Sequence, residues 1–179
     1  MPWDRTSDAA FDEQVGSLPD ATIVIDRHLD IVAANPLAEA ISGTLTVGRN
    51  LARSMFLDPV LHVTVDDWEH HAAVTVAALQ GEVQAHPADR RYVDVVGELM
   101  TRSSWFVGDW VRTPLAVPPT SVIAFEHPTV GALTLRFVRL RRPSDEYVFV
   151  MWTGANRESI VALNQLSRLI SKTPTSTTS

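Results

Sequence analysis

Histidines and acidic residues at helical spacing are the side chains of this chain best suited to chemistry. His62, Asp66 and His70 follow one another at every fourth position, so on one continuous helix they would share a face. Two imidazoles and a carboxylate are ligand types that zinc accepts. The same spacing is also typical of a solvated helix face, and no fourth ligand is visible. The sequence therefore favours the solvated face, and we expect no metal and no cofactor.

Acid–base catalysis is the second chemistry that these residues suggest. His70 or His71 beside Asp66 or Asp67 could transfer protons, but adjacent charged residues on an exposed helix are far more often solvated. The chain has no Gly-x-Ser-x-Gly elbow, no phosphate-binding glycine loop and no dinucleotide fingerprint. Its lack of cysteine excludes thiolate zinc sites and cysteine nucleophiles. We expect no enzyme and no catalytic residue. A small hydrolase or isomerase that uses the helix histidines is the alternative.

Composition and charge place the chain among soluble globular proteins. Its 179 residues, 45% of them apolar, suffice for one domain with a sizeable core. The net charge of −6 disfavours binding to nucleic-acid phosphates. The one basic cluster is too small for DNA binding, although it could contact an acidic partner; it comprises Arg136, Arg139, Arg141 and Arg142. No apolar run approaches a membrane span and the N-terminus is unlike a signal peptide, so we expect a cytoplasmic protein without membrane contact.

Two short apolar strands and a capped helix open the chain. Residues 22–25 are all β-branched, residues 31–34 are again apolar, and the polar residues 26–30 between them predict a β-hairpin. Asn35 and Pro36 predict the start of a helix, because Asn caps through its side-chain oxygen and Pro fits the first turn. This order is typical of the opening of a PAS-type sensor domain.

Helices are predicted to follow, and then three strands and a last helix. Asp58 and Pro59 repeat the cap-and-proline signal and predict one long helix to about residue 79. Further helices are expected over residues 50–56, 89–102 and 104–111. Alternation predicts strands over residues 121–127, 133–137 and 147–152, and apolar spacing predicts a closing helix over about 157–170.

This order of elements predicts an α+β fold of the PAS-like kind. Strands at both ends with helices between them exclude a doubly wound parallel sheet, which needs alternation. They fit a five-stranded antiparallel sheet with a helical layer on one face, a natural container for a small apolar ligand. We expect a leader with a short helix over residues 1–17, the domain over 18–171 and a disordered tail over 172–179.

An ordered set of short motifs resembles the ligand-binding domain of MmyB-like transcription regulators, in which a PAS-like sensor follows an XRE-type helix-turn-helix. The matching residues are Leu18-Pro19, Val24-Ile25-Asp26, Ala34-Asn35-Pro36-Leu37-Ala38, Asn50-Leu51, Phe56-Leu57-Asp58-Pro59, Asp67-Trp68, Gly97-Glu98-Leu99, Arg102-Ser103, Phe106, Trp110, His127-Pro128 and Gly131-Ala132-Leu133-Thr134-Leu135. The resemblance implies a regulator's sensor that binds a small, fatty-acid-like molecule between the sheet and the helices.

Two departures from the family's pattern bear on this expectation. Only a short leader precedes Leu18, so we expect a sensor without its own DNA-binding part. A His-Asp-Val stretch commonly follows the aromatic-Arg segment in the family, whereas here residues 110–112 continue as Thr113-Pro114-Leu115. A ligand contact made by that histidine is therefore not carried over.

Aromatic and apolar side chains on both layers are the candidate walls of the ligand site. The predicted ligand-binding residues are Trp68, Met100, Arg102, Phe106 and Trp110 from the helices and Phe125, Leu135 and Phe137 from the strands. Arg102 or Arg112 could hold a carboxylate at the mouth of the site through a bidentate pair. Each of these aromatic residues could instead be ordinary core, and each arginine could pair with a surface carboxylate.

The closing helix leaves two arrangements open. Its apolar face could lie on the domain's own sheet, or it could mediate a homodimer through which ligand occupancy reaches a paired DNA-binding part; this face comprises Ile160, Leu163, Leu166, Leu169 and Ile170. A protein-interaction domain whose pocket is filled by its own side chains is a further alternative to the sensor.

Overall fold

One antiparallel sheet forms the centre of the structure. The structure is a computed structural model that describes residues 8–112, 116–141 and 147–172. Its strands are β1 (Ala21–Ile25), β2 (Ile31–Ala34), β3 (Thr120–His127), β4 (Gly131–Arg141) and β5 (Val148–Gly154). They lie in the order β2-β1-β5-β4-β3, and every neighbouring pair is antiparallel. The predicted five-stranded antiparallel sheet is confirmed, with β5 joining the N-terminal hairpin to the C-terminal one.

Helices pack against this sheet in the described part of the chain. They are α1 (Asp8–Gly16), α2 (Pro36–Ile41), α3 (Leu51–Leu57), α4 (Pro59–Thr64), α5 (Trp68–Ala85), α6 (Arg90–Arg102), α7 (Ser104–Trp110) and α8 (Arg157–Lys172). Apolar residues of α2, α3, α5, α6, α7 and α8 share one core with the inner face of the sheet. The α+β fold with a helical layer on one face is therefore confirmed. None of the helices in these ranges is long and apolar enough to cross a membrane.

The short helix of the leader lies on the other face of the sheet. Val15 of α1 is buried against Val24 of β1 and Ala33 of β2. Phe11 adds an edge contact to Phe149 of β5, with ring centroids 5.9 Å apart. This helix therefore covers the outer face over β2, β1 and β5. Residues 1–7 of the predicted leader and residues 173–179 of the predicted tail lie outside the described residues.

Asn35 joins the hairpin to the first helix of the inner layer, as the sequence predicts. Its side-chain Oδ1 accepts hydrogen bonds from the Ala38 N–H at 2.9 Å and from the Thr22 N–H at 3.0 Å. Its Nδ2 donates to the carbonyls of Leu18 and Asp20. Asn35 is 1% exposed. Its side chain therefore makes four main-chain hydrogen bonds at a place that water does not reach.

The long helix predicted from Asp58 to about residue 79 is wrong, because the chain breaks into two helices. Asp58 does cap α4, but α4 ends at Thr64 and α5 begins only at Trp68. Between them Val65 forms a β-bridge with Phe125, and the Asp66 N–H donates to the Ala124 carbonyl at 2.8 Å. A main chain bound to β3 cannot also make helical hydrogen bonds, so contacts from a distant strand interrupt the helix.

The closing helix packs on the domain's own sheet. Leu163 and Leu166 of α8 are buried in the core that the inner face of the sheet shares. Its first turn is fixed to β4 because the Thr134 N–H donates to Ser159 Oγ at 2.9 Å. Gly154 at the end of β5 lies so close to Ile160 that a Cβ there would stand 2.5 Å from the Ile160 nitrogen. The first of the two predicted arrangements is therefore present.

Candidate functional site

A large cavity lies between the inner face of the sheet and the helices. Its volume is about 1740 Å³, and some of its lining residues are exposed to solvent, among them Gly43 and Pro119. The sheet contributes side chains from β3, β4 and β5, namely Ile123, Phe125, Phe137, Val148, Val150 and Trp152. The helices contribute Leu51, Met55, Leu61, Leu166, Leu169 and Ile170. These walls are mainly aliphatic and aromatic, which is the usual lining of a site for a small molecule.

Small side chains on α5 leave the space open. This helix faces the cavity with residues of low volume, namely Val74, Thr75, Ala77, Ala78, Gly81 and Ala85. A helix that presents alanine and glycine to a sheet cannot fill the gap that larger side chains would close. The sequence carries this signal as small residues at spacings of three and four, and aromatic residues alone do not reveal it.

Two of the eight predicted ligand-binding residues line the cavity. Phe125 of β3 and Phe137 of β4 are on the wall formed by the sheet. Leu135 precedes Phe137 by two residues on β4 and faces the same core. It is fully buried and does not line the cavity. The inward face predicted for these strands is therefore correct, although not every residue on it lines the cavity.

The aromatic residues predicted on the helices form a cluster of their own. Trp68 donates its Nε1–H to the Met55 carbonyl, and its ring meets that of Phe56 edge-on at 5.9 Å. Phe106 contacts Phe56 at 5.1 Å and Trp110 at 5.2 Å. These rings pack α3, α5 and α7 on one another outside the cavity, which is the core role that the sequence left open.

The remaining helical candidates also lie away from the cavity. Met100 is half-buried against the shared core. Arg102 is exposed and pairs with Glu98 at 2.6 Å, and Arg112 is exposed and pairs with Asp109 at 2.8 Å. The Arg53 and Arg102 guanidinium groups together lower the pKa of the Glu98 carboxyl. Both predicted carboxylate-binding arginines are thus engaged by acids within their own helical segments.

None of the basic side chains that line the cavity was singled out by the sequence as a ligand-binding residue, and Arg139 and His71 are two that burial withdraws from water. Arg139 projects from β4, and His71 projects from α5 with 8% of its surface exposed. Burial is the main cause that lowers the pKa of His71, and the nearby charges of His70 and Arg139 lower it further against the opposing effect of Asp67. The alternation of Leu135, Phe137 and Arg139 on β4 is the sequence signal that places the last of them inward.

Residues 11–166 match a family model described as the MmyB-like transcription regulator ligand binding domain. The chain belongs to this family. The match extends from α1 to the buried Leu166 of α8, and so it includes all five strands and the helices α2 to α7, with the first part of α8. Among curated proteins, none matches the chain. The domain is therefore a ligand-binding domain of a kind found in transcription regulators, and its cavity is the candidate ligand site.

The departure from the family's His-Asp-Val pattern lies outside the described residues. Val111 and Arg112 end the helical layer and are exposed, and Thr113-Pro114-Leu115 lies outside the described residues. The chain re-enters the described part at residue 116, and Pro118 and Pro119 line the cavity before β3 begins.

The histidines proposed for metal binding or catalysis do not share a helix face. His62 belongs to α4 and stacks on Trp68 with ring centroids 3.6 Å apart, whereas His70 lies on α5 and is exposed. The break at residues 65–67 separates the two. Within the described ranges, no three His, Cys, Asp or Glu side chains are placed so that they could hold a metal ion.

A second polar cluster joins the hairpin to α6. His28 is 5% exposed, with Nε2 2.8 Å from an Asp89 carboxylate oxygen and Nδ1 3.3 Å from Asp26. The hydrogen bond with His28 is the main cause that lowers the pKa of Asp89. The Tyr92 ring packs on the imidazole of His28. Burial raises the pKa of Tyr92 to about 12, so the phenol stays protonated at neutral pH. Since Asp89 also caps α6, this cluster fixes the helix to the hairpin.

Proposed function

We propose that this chain is the sensing domain of a transcription regulator and binds a small, mainly apolar and fatty-acid-like molecule in the cavity. The observation that carries the proposal is a 1740 Å³ space with apolar walls from both layers. Membership of a family of regulator ligand-binding domains supports the sensing role. The proposed ligand contacts keep Phe125 and Phe137 and add Met55, Trp152 and Leu166.

Ligand occupancy would act by selecting one packing of the helices. A ligand shifts a conformational equilibrium only through its different affinity for the two states. Both α5 and α8 contribute walls to the cavity, so a molecule between them favours the spacing that it fits. Ile160 and Val161 of α8 are exposed and offer a surface for a homodimer. A change in that association would carry occupancy to a DNA-binding partner.

Native mass spectrometry of gently purified protein, with thermal unfolding, tests the proposal. We expect a co-purifying small apolar molecule, and we expect dodecanoic acid to raise the melting temperature. At a hundredfold excess over Kd, mass action predicts a rise of roughly 5–10 °C for a protein of this size. Repeated absence of both effects, over a series of chain lengths, would contradict the proposal.

A cavity-filling variant sharpens this test. Ala78→Phe puts a large ring into the space beside α5, so it should abolish the thermal shift. Val93→Phe is the matched control, because Val93 is 71% exposed on α6 and does not line the cavity. A protein partner recovered with the chain, in place of any small molecule, would favour the interaction-domain alternative.

A further inference from the structure

Arg139 is a charged residue of the cavity wall whose presence the binding of a purely apolar molecule does not explain. Its side chain extends inward from β4, where its partner in the register is Val150 of β5. The guanidinium carbon lies 5.0 Å from the centroid of the Phe137 ring. Its Nη1 donates to the Pro118 carbonyl at 3.4 Å. These contacts hold the guanidinium in the wall of the cavity, and neither supplies a counter-charge.

No acid neutralises this charge in the described ranges. Arg141, the next inward residue of β4, pairs with Glu82, whereas Arg139 has no described carboxylate within ion-pair distance. Arg49 also lines the cavity without an ion pair, but it is exposed and water solvates it. Arg139 is partly withdrawn from water, and burial lowers its pKa. A charge removed from water without a partner costs free energy until an anion arrives.

His71 adds a second polar group to the same space. It lines the cavity from α5, on the wall opposite the sheet. Its ring nitrogens make no hydrogen bond to any residue that the structure describes. Arg139 is close enough for its charge to influence the imidazole. One imidazole N–H and the N–H groups of the guanidinium can therefore donate hydrogen bonds to the oxygen atoms of an acidic ligand.

We propose that Arg139, with His71 on the opposite wall, binds the ionised carboxylate of an amphiphilic ligand whose apolar chain occupies the rest of the cavity. This inference rests on the proposed function and adds the group that selects the ligand. A guanidinium fits a carboxylate through two parallel N–H donors, which a neutral alcohol or ester cannot match. Arg139 thus takes the role that the sequence suggested for Arg102 or Arg112.

Binding of an acid and of its neutral analogue tests this assignment on the full chain. Isothermal titration calorimetry at pH 8 would compare dodecanoic acid, which is ionised, with dodecan-1-ol, which has the same chain length. We expect the wild-type protein to bind the acid about tenfold to a hundredfold more tightly, the range expected for hydrogen bonds to a charged group. Arg139→Met should remove this preference and leave the affinity for the alcohol unchanged.

Two further variants make the result specific. Arg136→Met is the matched control, because Arg136 lies on the same strand, is exposed and does not line the cavity. It should keep the full preference for the acid. Arg139→Lys keeps the charge without the fork and should retain only part of the preference. Arg139→Met should melt at the wild-type temperature or above, since it removes a partly desolvated charge.

The possible outcomes separate this inference from the proposed function. Equal binding of acid and alcohol by the wild-type protein would overturn the role of Arg139 and leave the sensing function standing. A preference that persists in Arg139→Met would do the same. If the wild-type protein binds neither molecule, the proposed function fails and this inference fails with it.

Discussion

At the scale of single residues, the position of His71 determines how the protein responds to acid. The imidazole projects from α5 into the wall of the cavity. Burial is the largest of the causes that lower its pKa below 6.5. In the unfolded chain the same group would titrate near that ordinary value. Between the two pKa values the unfolded chain binds more protons than the folded protein, so folding becomes less favourable as the pH falls.

We therefore predict that the free energy of unfolding decreases as the pH falls below about 6.5, and that His71→Gln reduces this decrease. His70→Gln should reduce it partly, because His70 is the second cause of the shift. Urea unfolding between pH 5.5 and pH 8 measures the slope. The lowered pKa values of Asp89 and Glu98 act only below their ordinary values of 3.8 and 4.5, outside this window. Equal slopes in the wild type and His71→Gln would contradict the prediction.

Short-range sequence patterns are enough to predict that Arg102 and Arg112 form ion pairs and that Arg139 points inward. Glu98 precedes Arg102 by four residues and Asp109 precedes Arg112 by three, and these spacings favour ion pairs on one helix. Arg139 instead follows Phe137 by two residues on a strand, so it shares the inward face. The absence of a nearby acid depends on the tertiary structure, and no local pattern predicts it.

At the scale of elements, caps were predictable and the helix break was not. Asn35 and Asp58 start their helices because the capping bonds lie within three residues of sequence. The break after Thr64 depends on Val65 and Asp66 meeting β3, almost sixty residues further along the chain. Local spacing in residues 59–79 is compatible with one helix, so only the approach of the strand separates α4 from α5.

The contact between β5 and α8 leads to a prediction at the same scale. In Gly154→Ala the new Cβ would lie 2.5 Å from the Ile160 nitrogen and 2.9 Å from its Cα, so α8 must move. We expect a loss of about 1–3 kcal/mol of stability, the usual cost of overpacking, measured by urea unfolding. Because Leu166 and Leu169 of α8 line the cavity, ligand affinity should fall as well.

Gly97→Ala provides the matched control with the opposite sign. Gly97 lies inside α6, and a Cβ there would meet no atom within 4 Å. Replacing a glycine inside a helix by alanine stabilises a protein by about 0.5–1 kcal/mol. If Gly154→Ala were as stable as the wild type, the close packing of α8 on β5 would be disproved.

At the scale of the whole molecule, the sequence predicts the order of the layers and a ligand site between them, but not most of the residues that line it. The change from helical to alternating periodicity near residue 120 is enough to indicate a sheet built from both ends of the chain. The cavity depends on how closely α5 approaches the sheet, and Ala77, Ala78 and Gly81 determine that gap jointly with the opposite wall. The large aromatic residues of the helices, which the sequence suggested as ligand contacts, instead pack on one another outside the cavity.

Amide hydrogen exchange tests how ligand occupancy spreads through the molecule. On addition of dodecanoic acid, we expect exchange to slow most in α4, α5 and α8, which line the cavity. The slowing should be smaller in α1, which lies on the opposite face of the sheet and is the internal control. Equal slowing in all four helices would indicate global stabilisation alone and would contradict selective packing of the inner layer.

The link between α4 and α5 also protects the sheet from other molecules. β3 forms one edge of the sheet, and Val65 and Asp66 occupy part of its outer side through main-chain contacts to Phe125 and Ala124. An uncovered edge strand offers free N–H and C=O groups to any extended chain that it meets. Detachment of these two residues would expose this part of β3 as a template for aggregation, so the link between α4 and α5 protects the solubility of the domain as well as packing Val65 against the core.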